Sequence, residues 1–190
     1  MTTETKEQSE SLKRQFCTFT IYNRLFGVDI LNVKEVNPNI NCVPIYHAPP
    51  EVRGYINIRG QIYLILNLQL ILGFQPASVS DTTENQRIIL FKATVDEPFG
   101  IVVDRISDVV TIEIDKIENR RSESLTKEQS ASNRIERRST DLSDGIAKLD
   151  DQLLVILNPH TLLHIATAPL TSVKSQHTEI RSVKQQVPEV

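Results

Sequence analysis

The chain has 190 residues, 39% of them hydrophobic, and a net charge of −3 at pH 7. That length suits one ordinary domain, or two very small ones that share an interface to bury enough apolar surface. The acidic balance gives no overall electrostatic grip on nucleic acid. No apolar run approaches the roughly 20 residues that span a bilayer, so direct membrane insertion is not expected.

Residues 1–15 are polar and charged, without the apolar core of a signal peptide, and read as a disordered N-terminus. Phe16 to Tyr22 and Leu25 to Ile30 read as two strands around a turn at Asn23-Arg24. On the first, Cys17, Phe19 and Ile21 share one face, with threonines opposite. Cys17 and Cys42 have no CxxC or metal-like spacing and read as reduced thiols of a cytosolic protein. Leu31 to Val36 continues as strand or irregular turn, and Asn37-Pro38-Asn39 as a loop. Asn41 to Tyr46 reads as a short strand broken by Pro44.

The stretch from Val52 to Phe74 is the organising one. Pro49-Pro50 in front and Gly54 behind suggest a short helical turn that ends at Gly54. Gly54 to Ile58 is then a strand, and Arg59-Gly60 a tight turn in which Gly60 supplies a positive φ. Ile62 to Leu68 is an apolar run of strand length, expected to be buried on both faces. Leu68 to Leu72 closes as one helical turn stopped by Gly73. Gln75 to Gln86 reads as a link between halves. Arg87 to Thr94 and Phe99 to Ile106 form a second strand pair, and Val109 to Ile117 alternates. A polar loop from Glu118 to Thr140 follows, then a hairpin over Gly145 to Leu149 and Leu153 to Leu157. Asn158 caps a short helix that starts at Pro159 and runs to about Ile165. Residues 166–190 lack periodicity and are expected to be a disordered tail.

Sliding the sequence along itself exposes a duplication. At an offset of 91, Gly54 falls on Gly145, Gln61 on Gln152, Ile65 on Ile156, Leu66 on Leu157 and Asn67 on Asn158. At an offset of 73, Phe26-Gly27-Val28 falls on Phe99-Gly100-Ile101, and Glu35 on Asp108. The counterparts of Glu35 and Arg59 are Asp108 and Asp150, so an opposite-charge pair is open only to the first half. Many short strands, regular turns and little helix point to an all-β fold of two small barrels.

Catalysis finds little support. The six glycines are scattered, so no phosphate-cradling loop exists, and no GxSxG is present. His160 and His164 lie four apart on a predicted helix, but Thr161 stands where a zinc hydrolase needs an acid; a solvated helix face explains them better. Neither metal nor cofactor is expected. The basic run Arg134 to Arg138 has no interleaved aromatics and reads as a solvated loop. A β-barrel for single-stranded nucleic acid is the alternative function. It wants stacking platforms in a basic groove, whereas the chain has no Trp and 5% aromatics.

FGVDILNVKEV followed by INIRGQIYLILNL, with FGIVVDRISDVV and LLVILN in the second half, resembles the CheW family of bacterial chemotaxis coupling proteins. The resemblance covers about Phe16 to Ile165. It implies two intertwined five-stranded, SH3-like barrels with a few short helices, the first mainly 16–74 and the second mainly 87–165, with strand exchange. It also implies a non-enzymatic cytoplasmic adaptor recruited to membrane receptor arrays. Such an adaptor couples the cytoplasmic tip of methyl-accepting chemoreceptors to the regulatory domain of a CheA-type histidine kinase. The resemblance places the kinase on the first barrel, around Val33, Cys42, Arg53, Gly54 and Ile62. It places the receptor in a groove between barrels at Glu35, Ile88, Gly100 and Ile106. Glu35 and Arg59 are expected to form a polar pair that orients a partner. The chain departs from the family at Leu64, often Pro there, and at Asn67-Leu68-Gln69, often Asp-Leu-Arg.

Overall fold

The computed structural model describes residues 12–38, 41–74, 85–118, 141–150 and 152–167. The first half carries β1 (Lys13–Ile21), β2 (Arg24–Asp29), β3 (Val33–Pro38), β4 (Val52–Ile58), β5 (Gln61–Asn67) and the helical turn α1 (Leu68–Ile71). The second half carries β6 (Arg87–Phe91), β7 (Phe99–Val103), β8 (Arg105–Glu113), β9 (Ile117–Glu118), β10 (Ser143–Lys148) and β11 (Leu153–Leu157). Residues 159–167 form a last helix, α2.

The strands make two sheets, ordered β3-β6-β7-β5-β4 and β8-β1-β2-β11-β10-β9. Apart from the two-residue β9, the two orders are the same arrangement with the halves exchanged. Each half therefore lends its opening hairpin, β1-β2 or β6-β7, to the sheet of the other. The sheet that carries the Arg59 hairpin comes from residues 33–103, and the other from 13–29 and 105–157.

The ladders confirm the duplication. Leu64 pairs with Phe99 and Ile65 with Gly100 in the parallel β5-β7 contact. Val155 pairs with Phe26 and Ile156 with Gly27 in the parallel β11-β2 contact. These pairs superimpose under the two sequence offsets. Both closing hairpins also shift register at matching places, Val52/Gly54 and Ser143/Gly145.

Among the described residues, three apolar clusters form the core. Ile56, Tyr63, Ile65, Ile88, Leu90 and Val102 fill the first barrel. Phe16, Leu25, Ile112, Ala147, Leu154 and Ile156 fill the second. The largest lies at the seam between them, where Phe19, Phe26 and Leu66 join Phe91, Phe99, Ile101 and Leu157. Strands β6 and β7 send alternate residues to barrel and seam: Ile88 and Leu90 inward, Ile89 and Phe91 to the seam. That is why RIILF and FGIVV read as continuous apolar runs rather than as alternation. The all-β fold of two small barrels, expected from the sequence, is the one found.

The first sheet also closes on itself. Lys34 on the edge strand β3 donates to Gln61 Oε1 on β5 at 3.0 Å, and to the Tyr63 hydroxyl. These bonds join strands at opposite sides of the sheet order, so the sheet has curled into a barrel.

Several boundaries differ from expectation. β1 starts at Lys13, because Arg14 grips Asp29 Oδ2 through Nε (2.9 Å) and Nη2 (2.7 Å) and stacks over Phe16. The β1-β2 turn is Tyr22-Asn23, both at positive φ, the twist that two-residue hairpin loops prefer. Asn41 to Tyr46 is no strand: it makes one bridge, Val43 to Tyr55. Gly54 ends no helix; it is the bulge of β4, at φ 140°. The break between the strands expected at Phe99 to Ile106 and Val109 to Ile117 falls at Asp104 instead, so β8 begins at Arg105, and α2 continues two residues past Ile165. The polar loop, most of the link, the tail beyond Thr167 and the N-terminus before Leu12 lie outside the described residues.

Candidate functional site

The tip of the β4-β5 hairpin is built to present one cation. Arg59 and Gly60 have φ of 51° and 85°, so both turn residues are left-handed. Gly60 takes that conformation freely, while Arg59 costs about 1 kcal/mol for its β-carbon. Asn57 Oδ1 accepts from Gly60 N at 2.9 Å and locks the turn. Arg59 Nη2 then lies 3.5 Å from Glu35 Oε2, with side-chain exposures of 83% and 21%. Glu35 sits on β3 beside Lys34, whose bonds to Gln61 and Tyr63 hold that strand against the hairpin. The second half offers Asp108 and Asp150, both exposed, in the equivalent places. The ion pair thus marks one barrel end and not the other.

An exposed pair of this kind is worth about 0–1 kcal/mol. Arg59→Glu is therefore expected to leave the melting temperature within about 4 °C of the parent, measured by far-ultraviolet circular dichroism. A larger drop would make the residue structural.

Beside the tip lies an apolar outer face. Tyr55 on β4 stands opposite Leu64, Asn57 opposite Ile62, and Val43 bridges to Tyr55, so these residues share a face. Val43, Tyr55 and Ile62 are 69%, 45% and 61% exposed. Ile62, expected inside a strand buried on both faces, is at the surface because the seam core, which covers Leu64 and Leu66 on the same face of β5, stops short of it. Tyr55 and Val43 were missed by sequence reasoning. The signal was the alternation of β4, where Val52, Gly54 and Ile56 are buried and Tyr55 and Asn57 exposed.

Of the other residues placed at the kinase surface, Val33 is half-buried against the seam core. Cys42 packs against the first barrel's core; burial pushes its thiol pKa up, and the nearby Arg53 pulls it partly back. Arg53 Nη1 reaches Gln86 Oε1 at 3.4 Å. Gly54 is buried under the backbone of Val43. The receptor set divides. Glu35 and Ile106 are partly exposed, but Ile88 is 0% exposed inside the first barrel. Gly100 is buried against Leu90 and Ile89. Ile88 and Gly100 shape the barrel from within, where a partner does not reach. Among the described residues no group of three metal-ligating side chains occurs, and His160 and His164 are both exposed on α2.

Residues 15–167 match the family model described as a CheW-like domain. The chain is 25% identical over 163 residues to the chemotaxis protein CheW of Klebsiella aerogenes, covering 86% of this chain and 89% of that protein. It is 25% identical to the CheW of Thermotoga maritima over 154 residues, covering 80% and 90%. The crystal structure of the scaffolding protein TtCheW from Thermoanaerobacter tengcongensis superimposes with a TM-score of 0.65 at 25% identity, covering 80% of this chain and 92% of that one. With four-fifths of its length matched to that model and its two exchanged barrels matched in turn by a solved relative, the chain belongs to the CheW-like domain family.

Proposed function

We propose that the protein is a non-enzymatic adaptor of chemotaxis-type signal transduction. It couples the cytoplasmic tips of chemoreceptors to the regulatory domain of a CheA-type histidine kinase, and it works in the cytoplasm at membrane receptor arrays. The observation that carries this reading is the apolar face of Val43, Tyr55 and Ile62 beside the Glu35–Arg59 tip, on a domain of this family. A water-excluding patch with one oriented charge pair at its border suits a small protein–protein contact. No helix among the described residues is long and apolar enough to cross a membrane, in keeping with recruitment by a partner.

The kinase docks on this face, with Arg53 and Val33 at its margin. The receptor tip is a helical hairpin and uses Glu35 and Ile106, on the side where helices lay apolar faces into a groove. Each contact is small, below about 1,200 Å² and individually weak. Strong assembly comes from many linked contacts.

The test is Ile62→Asp, titrated calorimetrically against the purified regulatory domain of the cell's own chemotaxis kinase. Ile62 is 61% exposed, so melting is expected to be unchanged. Affinity is expected to fall at least tenfold, because the new carboxylate would be desolvated in the contact. Wild-type affinity in the folded variant would move the interface elsewhere.

A further inference from the structure

Tyr46 is 91% exposed, more than any other large apolar side chain among the described residues. It sits on a turn that holds it there. Ala48 N donates to Ile45 O at 3.3 Å across Tyr46 and His47. His47 has a φ of 61°, a left-handed conformation that side chains seldom adopt. Ile45 and Ala48, on either side of the pair, pack against the seam core. Pro44 stands before the turn and Pro49-Pro50 after it, and each fixes its own φ. The turn is anchored on both flanks, and its tip alone stands in water.

A lone apolar side chain on a surface is ordinary and asks for no explanation. Tyr46 differs in two respects. Its backbone is pinned in a strained turn, and its ring touches almost nothing of its own chain. It also continues the apolar face of Val43, Tyr55 and Ile62. Val43 is tied to Tyr55 by two backbone bonds of 2.8 Å. Tyr46 is three residues further on, a span of at most about 11 Å. A contact near 1,200 Å² covers a disc roughly 25 Å across on each partner, wide enough to take in both.

We propose that Tyr46 is the anchor of the kinase contact, an inference that rests on the kinase reading given above. The ring enters an apolar recess on the regulatory domain, and the hydroxyl stays at the polar rim. Burying such a ring removes about 150 Å² from water, roughly a quarter of one side of so small a contact. Tyrosine suits the task because it orders only two torsions for that area, and the turn has already fixed its backbone.

The experiment uses the full chain labelled with 3-fluorotyrosine. The chain has four tyrosines, so four fluorine signals are expected, and Tyr46→Phe and Tyr55→Phe assign the two that matter. The labelled chain is titrated with the purified regulatory domain of the cell's own chemotaxis kinase. The Tyr46 and Tyr55 signals are expected to shift together and saturate at the same ratio. The Tyr22 signal, from a ring stacked on Phe74, is expected to stay. By calorimetry, Tyr46→Ala is expected to bind about thirtyfold more weakly while melting with the parent. A Tyr55 signal that moves while Tyr46 does not would leave the kinase on its face and overturn the anchor. If neither signal moves and Ile62→Asp binds like the parent, the kinase reading fails and the anchor with it. A clear drop in melting temperature for Tyr46→Ala would make the residue structural and also overturn the proposal.

Discussion

A chain ending near Pro76 is expected to show no cooperative thermal transition. The fragment keeps the β1-β2 and β4-β5 hairpins but loses every ladder that unites them. β1 needs β8, β2 needs β11, β3 needs β6, and β5 needs β7. Isolated hairpins are marginal in water. The seam core would also lose Phe91, Phe99, Ile101 and Leu157, leaving Phe19 and Phe26 exposed. The expected record is a featureless melt by circular dichroism and collapsed amide dispersion by NMR. A sigmoidal unfolding curve for that fragment would mean that the first half folds without its exchanged strands.

Gly54→Ala is expected to be strongly damaging for a change of one methyl group. An added β-carbon would lie 2.2 Å from Val43 O and 2.8 Å from Val43 C, which are backbone atoms with no rotamer to give way. The φ of 140° is strained for any residue with a β-carbon. Relief requires breaking the two 2.8 Å bonds between Val43 and Tyr55, which tie the 43–48 segment to β4. A loss of about 4 kcal/mol follows, or roughly 8–16 °C in melting temperature for a domain of this size. Gly60→Ala is the control: it has positive φ too, but its β-carbon would meet nothing within 4 Å. It is expected to cost only about 1 kcal/mol. If the two variants melt together, the close approach of Val43 is not what fixes Gly54. Because Gly54 is held this way, binding losses in its variants report folding rather than docking.

The repeat, the hairpins and the family resemblance were legible because apolar blocks recur in register around Gly27, Gly54, Gly100 and Gly145. The exchange was legible only through the resemblance. Periodicity reports that a face is buried, not whose strand covers it, and β2 reads the same whether its neighbour is β11 or β5. The same limit explains Ile88. Its strand is buried on both faces, so sequence alone does not assign it to groove or barrel. Gly54 misled because a glycine after two prolines fits a helix exit, whereas the close approach of Val43 is a tertiary fact. At the candidate site, Glu35 and Arg59 stood out by comparison with their acidic counterparts. Tyr55 and Val43 were hidden because the alternation of β4 separates Tyr55 from the buried Val52 and Ile56 but does not tell how far along the hairpin the seam core reaches.

The exchange of opening hairpins also has a kinetic meaning on the ribosome. β1 and β2 leave the exit tunnel first, yet their partners β8 and β11 lie at the far end of the fold. At ordinary elongation rates the wait is on the order of ten seconds, far longer than hairpin formation. Phe16, Phe19 and Phe26 stay uncovered through that interval, during which the nascent chain is a client for whatever binds apolar segments. The sheet that holds β1 and β2 is completed only by β11, so native structure waits until that strand has emerged.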